Sequence, residues 1–319
     1  RLAYLDEGSG PAVVMVHGNP SWSYLYRNLV SALRDRYRCI VHDHLGCGFS
    51  DKPEPFPYRL RNHLDNLDHL LTALDPGPVR LVVHDWGGAI GMGWAGRHPE
   101  QVAGAVLLNT AAFPSPRLPL RIAVCRWPLL GSLLVRGLNG FARAAVHMAV
   151  TRRMRPEIAA GFLAPYESWR HRVALHRFVE DIPMGPDHPS WSTLKAIEQA
   201  LAAITCPLLL CWGGRDFCFD RSFYDEWRRR FPAAEAHFFA EAGHYVLEDA
   251  LAEGLQMIER FLATTVPAPR PITTSPMPCA GWPSARRTRL PWSPGRPGPG
   301  RNGVFATCWP AARGSPGCS

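Results

Sequence analysis

Asp85 follows a β-branched run, residues 79–84 (VRLVVH), and precedes Trp86 and the pair Gly87 and Gly88. A polar residue at such a junction sits on a tight strand-to-helix turn, which lifts its side chain above the sheet edge. The small residues that follow (Ala89, Gly91, Gly93, Ala95) suit a helix packed close to a sheet. Serine is the usual nucleophile in this seat, but here the seat holds a carboxylate. Carboxylate attack on an ordinary ester carbonyl gives a mixed anhydride, uphill from the substrate. Attack on a saturated carbon with a good leaving group gives an alkyl ester, which is accessible. Asp85 therefore points to displacement at a carbon bearing a halide, an epoxide oxygen or a strained ring ester.

Three more polar residues fall just after apolar runs: Asn19, Asp216 and His244. His244 suits the base that activates water, and Asp216 the acid that holds its tautomer and stabilises the imidazolium. The backbone N–H groups of Asn19 and Trp86 would form an oxyanion hole. The indole N–H of Trp86 and the side-chain amide of Asn19 can both donate to a departing anion. Each residue also has a plainer role. Asp85 could cap the following helix, His244 could be a loop histidine, and Trp86 a core residue. Asp216 could cap a helix near Ser222, with Asp220 competing for that role and for the acid's. The conjunction, in the order nucleophile, acid, histidine, favours the catalytic reading. The turn at 46–51 and the pair His42 and His44 read as structural.

The elements that position these groups are legible as alternating segments. Stretches with apolar centres at 11–17, 38–43, 79–84, 102–108 and 207–212 predict buried strands, with a shorter strand at 236–240. Helical spacing marks 21–33, 60–74, 87–97, 222–230 and 248–263. Continuous apolar strands alternating with helices indicate a parallel sheet covered on both faces. The alternation breaks between 113 and 203, which is helical and rich in Arg, Leu, Pro and Trp. This insertion reads as a lid over the strand C-terminal ends, where open α/β sheets bind ligands. The expected organisation is a first core part at 1–112, a lid at 113–203, a second core part at 204–265 and a tail at 266–319.

The net charge of +8 is misleading, because residues 266–319 hold seven arginines and no Asp, Glu or Lys. Residues 1–265 are then near +1, without the bulk basicity of a nucleic-acid-binding protein. The tail also holds 12 of the 31 prolines. It reads as disordered: a basic docking arm or, favoured over that, a linker to a lost partner domain or read-through from another frame. The start, without Met or a preceding strand, reads as a fragment lacking 20-odd residues. Six cysteines at irregular spacing (39, 47, 125, 206, 211, 218) read as reduced core thiols. No secretory signal or membrane span is legible, so a cytoplasmic location is expected. No His/Cys cluster has metal-ligand spacing, so neither metal nor organic cofactor is expected.

The segments His17-Gly18-Asn19-Pro20, residues 43–53 (DHLGCGFSDKP), residues 83–88 (VHDWGG) and Ala242-Gly243-His244 resemble the haloalkane dehalogenase branch of the α/β-hydrolases. The resemblance covers about residues 1–264 and implies an α/β-hydrolase fold with an Asp/His/Asp triad. Residues 108–114, 177–183, 212–220 and 241–249 look more like the bacterial β-lactone decarboxylases of long-chain olefin biosynthesis. Those enzymes turn a cis-3,4-dialkyl-β-lactone into a cis-alkene and CO2. The resemblance implies a hydrophobic substrate with alkyl chains and, as partners, a β-lactone synthetase and other olefin-pathway enzymes. Trp127, Phe162, Trp169 and Phe178 of the lid are candidates to line the alkyl chains. A haloalkane dehalogenase using the same residues is the alternative, and a non-catalytic ligand binder a further one. Epoxide opening in related enzymes uses two lid tyrosines, and residues 114–203 hold only Tyr166.

Overall fold

Seven strands form one sheet in the computed structural model, which describes residues 1–265. They are β1 (Tyr4–Glu7), β2 (Ala12–Val16), β3 (Arg38–His42), β4 (Val79–Asp85), β5 (Val102–Thr110), β6 (Leu208–Gly213) and β7 (Glu235–Phe239). Their order is β1-β3-β2-β4-β5-β6-β7, with β1 antiparallel to β3 and every other pairing parallel. The expected strands are all present, within a residue or two at their ends. The expected tail lies outside the described residues.

Side chains alternate across a strand, so a strand covered on both faces is apolar on both sides along most of its length. Val14, Val16, Leu81, Val83 and Leu107 face one core, while Val13, Met15, Val82 and Val106 face the other. The first core is roofed by α2 (Leu60–Leu74), α3 (Trp86–Arg97) and residues of Trp191–Ala200, the second by α1 (Arg27–Leu33) and Leu251–Thr264. The cysteines at 39, 47, 125 and 211 are buried free thiols, and Cys206 and Cys218 are partly buried free thiols. No helix among the described residues is long and apolar enough to cross a membrane.

Between β5 and β6 the described chain is helical. It runs through α4 (Leu120–Ala123), α5 (Leu130–Ser132), α6 (Gly140–Met148), α7 (Pro156–Leu163), α8 (Val173–Glu180) and α9 (Trp191–Ala200). A small core of Trp22, Cys125, Val135, Ala142, Tyr166, Leu175 and Val179 holds this insertion together. The buried carboxylate of Asp181, just past α8, accepts from the Leu60 backbone N–H at 2.7 Å, the Arg59 guanidinium at 2.8 Å and the Ser190 hydroxyl. One charge thus caps α2 and ties the insertion to the core.

Under α8 lies a cluster of buried histidines, two of which, His17 and His44, each accept a hydrogen bond on a ring nitrogen and so require the neutral form. His17 Nδ1 donates to the Gly18 carbonyl (2.7 Å), and its Nε2 accepts from the His44 backbone N–H (3.0 Å). His44 Nε2 donates to the His17 carbonyl (2.7 Å), leaving Nδ1 to accept from His42 Nε2 (3.1 Å). His63 stacks on Phe178 at 4.3 Å, with neither ring nitrogen hydrogen-bonded. Burial pushes His17 and His63 down to about 3 and His42 to about 4. Unfolded, each titrates near 6.5, so the unfolded chain takes up protons first as pH falls. The cluster's contribution to stability is therefore complete above pH 6.5 and drains away towards the folded values. His63→Leu should make this acid loss shallower by up to about 1.4 kcal/mol per pH unit, read from urea unfolding across pH. An unchanged pH slope would show that His63 does not titrate on unfolding.

Candidate active site

The turn after β4 is built by steric necessity. Asp85 has φ 53° and ψ −126°, a region costly for a residue with a Cβ. Gly87 and Gly88 permit the close approach behind it. A Cβ on Gly87 would stand 1.9 Å from the Val16 carbonyl oxygen, and one on Gly88 1.7 Å from Thr110 Oγ1. Thr110 Oγ1 donates to the Asp85 carbonyl at 2.5 Å and fixes the turn from β5. Asp85 makes no side-chain cap bond to α3. Its carboxylate Oδ1 accepts instead from the Asn19 backbone N–H at 2.6 Å, in the loop after β2.

The loops after β6 and β7 bring Asp216 and His244 to the same end of the sheet. His244 Nδ1 donates to Asp216 Oδ2 at 2.8 Å, and its Nε2 lies 3.8 Å from Asp85 Oδ2. The second distance allows charge pairing but exceeds a hydrogen bond. Asp216 is further held by the Cys218 N–H on Oδ1 (2.6 Å) and Asn109 Nδ2 on Oδ2 (2.9 Å). Asp220 is elsewhere: it accepts from the Ser222 N–H at 2.9 Å, capping α10 (Arg221–Arg230). The competition between the two aspartates is thus resolved by position.

Electrostatics separate the groups. Burial raises Asp85 above the usual carboxylate range, against His244 and the Asn19 and Trp86 backbone N–H groups, which favour its charge. Burial alone would lower His244, but Asp216 and Asp85 outweigh it and the net direction is up. His84, its ring 4.4 Å from that of His244, has no carboxylate partner. Burial drives it well below 6.5, and its Nε2 donates to the His244 carbonyl at 2.9 Å.

The remaining expected residues divide. Trp86 packs on Phe178 of α8, ring centroids 5.3 Å apart. The Asn19 side chain donates to the Leu175 carbonyl of α8 at 3.0 Å, so part of its donor capacity ties the core loop to the insertion. Phe162 is enclosed between Tyr24 and Tyr245, the neighbour of His244. Trp127 and Trp169 depart from expectation. They are 55% and 44% exposed, and Trp169 faces the Arg136 guanidinium at 4.5 Å. The insertion is broken into short turns that rotate these two rings outward. A cavity of about 460 Å³ on the insertion, lined by Leu138, Tyr166 and Arg172 among others, includes none of Asp85, Asp216 or His244.

Asn109, Thr110 and Phe219 were not singled out as site residues. Phe219 stacks on His244 at 5.8 Å. Asn109 has φ 35° and also accepts from the Gly213 N–H at 2.7 Å, locking β5 to the Asp216 loop. Its position, polar at the end of an apolar strand, is the same signal that marks Asn19 and Asp85. Asp216→Asn removes the strongest influence opposing burial at His244. Its titration, followed by NMR of the ring Cε1–H, should move to lower pH. An unmoved titration would dismiss Asp216 as the partner that charges His244.

Comparison with known proteins identifies the fold and the family. Residues 11–251 match the family model described as alpha/beta hydrolase fold. The cis-3-alkyl-4-alkyloxetan-2-one decarboxylase of Shewanella oneidensis is 47% identical over 273 residues, covering 83% of this chain and 86% of that protein. Its namesake in Xanthomonas campestris is 46% identical, covering 82% and 92%. The crystal structure of the haloalkane dehalogenase DbeA from Bradyrhizobium elkani superposes with a TM-score of 0.76 at 26% identity, covering 83% and 94%. With an aspartate, not a serine, in the turn after β4, the chain belongs to the α/β-hydrolase family of enzymes, in its haloalkane dehalogenase-like branch.

Proposed function

We propose that this chain is a cis-3-alkyl-4-alkyloxetan-2-one decarboxylase acting in long-chain olefin biosynthesis, with Asp85 as nucleophile. The observation that carries the reading is the strained Asp85, its Oδ1 held by the Asn19 N–H and its Oδ2 facing His244. The names of relatives at 46–47% identity select the substrate class.

The lactone offers Asp85 a saturated carbon, C4, whose leaving group is the ring carboxylate. Attack forms the Asp85–C4 ester and breaks the C4–O bond, leaving a carboxylate on C3. Loss of CO2 then turns the C3–carboxyl electron pair into the C3=C4 bond, and the C4–O pair returns to Asp85. No water or proton is consumed. Attack inverts C4, and anti departure of CO2 and Asp85 restores the relation, so cis ring substituents end cis on the alkene. The Asn19 and Trp86 N–H groups favour the charged Asp85 carboxylate and would polarise the ester carbonyl once it forms. His244, held towards its charged form by Asp216, would pair with the new carboxylate. The lactone would come from a β-lactone synthetase partner.

Hydrolysis of a haloalkane through the same Asp85 ester is the second reading, favoured by the structural likeness to haloalkane dehalogenases. Incubation with a cis-dialkyl-β-lactone should yield cis-alkene and CO2, and a bromoalkane should release little bromide. Asp85→Ala should lower alkene formation by about 10⁴-fold or more. Bromide release without alkene would overturn the proposal in favour of the second reading.

A further inference from the structure

The outer side of the insertion carries a surface that the reaction does not use. Leu129 is 86% exposed and Leu133 53%, and Trp127, Leu130, Leu138 and Trp169 are also exposed. They are neighbours. Backbone bonds Gly131 N–H to Trp127 carbonyl (2.8 Å) and Leu133 N–H to Leu129 carbonyl (2.9 Å) fold Trp127, Leu129, Leu130 and Leu133 into one turn. The Cβ position of Gly137 lies 3.0 Å from Leu133 Cδ1 and 3.7 Å from Trp169 Cζ3, so the second tryptophan joins the same patch. A contiguous exposed apolar patch on one chain marks a surface that something covers.

Charge says what that something is. Residues 117–172 hold ten arginines, two glutamates and no Asp or Lys, a net of +8, while the rest of residues 1–265 carries −7. Among the described residues Arg126 and Arg170, next in the chain to Trp127 and Trp169, have no ion-pair partner. A second copy packed on this face would set arginine against arginine. The segment 266–319, with seven arginines and no acid, carries the same sign. The fitting occupant is apolar inside and anionic outside. We infer that this face of the insertion seats the protein on the surface of an anionic phospholipid bilayer. Trp127 and Trp169 would lie at headgroup level, the leucines at the acyl boundary and the arginines on lipid phosphates. The opposite net charge of the remaining body would orient this face towards the membrane.

The inference stands apart from the proposed reaction, since binding is read without substrate. The full chain should float with vesicles of phosphatidylcholine and phosphatidylglycerol at low salt, and poorly with phosphatidylcholine alone. Leu129→Asp with Leu133→Asp should cut the bound fraction about tenfold or more while thermal unfolding stays put, because both side chains are exposed. Arg126→Glu with Arg170→Glu should weaken binding similarly. Absence of flotation with anionic vesicles would overturn the inference. So would binding undiminished in the leucine variant, which would assign it to the arginines of 266–319. A dimer in sedimentation that the leucine variant dissociates would assign the face to a second copy.

Discussion

The conformation of Asp85 is the constraint on which the rest of the site depends. A non-glycine residue at φ 53° and ψ −126° costs on the order of 1–3 kcal/mol and persists only when its surroundings leave no alternative. Here the surroundings are closely packed. α3 lies so near β2 and β5 that Gly87 and Gly88 have no room for a Cβ, and the Thr110 hydroxyl grips the Asp85 carbonyl. The strained turn carries the carboxylate out of the sheet and onto the Asn19 N–H. A relaxed backbone would leave Asp85 as another strand residue.

Charge at the site is distributed with equal economy. The described chain buries many histidines, and His17, His42, His44, His63 and His84 are all driven towards the neutral form. His244 alone among these buried rings is pushed the other way, because Asp216 and Asp85 flank it. His84 and His244 are 4.4 Å apart and move in opposite directions. Two flanking carboxylates reverse the effect of burial at His244, whereas Glu180 alone, 3.7 Å from His176, does not reverse it there. The tether from the Asn19 side chain to Leu175 extends the same loop to the insertion.

Much of this was legible in the sequence, for a physical reason. Strands covered on both faces are mostly apolar, so a polar residue in the turn that ends one is conspicuous. That rule exposed Asn19, Asp85 and the loops of Asp216 and His244. It failed to weigh Asn109, whose importance lies in bonds to Gly213 and Asp216, more than a hundred residues away. The four lid aromatics were harder. Phe162 and Phe178 turn inward, whereas Trp127 and Trp169 turn out, because α4, α5 and the turns around them are too short for helical periodicity to sort inner from outer faces. Asp216 and Asp220 share the loop between β6 and α10, and which of them meets His244 is a tertiary fact.

The account rests on a covalent bond between Asp85 and the substrate. Rapid acid quench during a single turnover of a cis-dialkyl-β-lactone, followed by peptide mass spectrometry, reads that bond directly. The account predicts a transient gain equal to the whole lactone, confined to the peptide bearing Asp85 and decaying as alkene appears. A chain whose mass stays constant while alkene forms, or an adduct on any other residue, would contradict it.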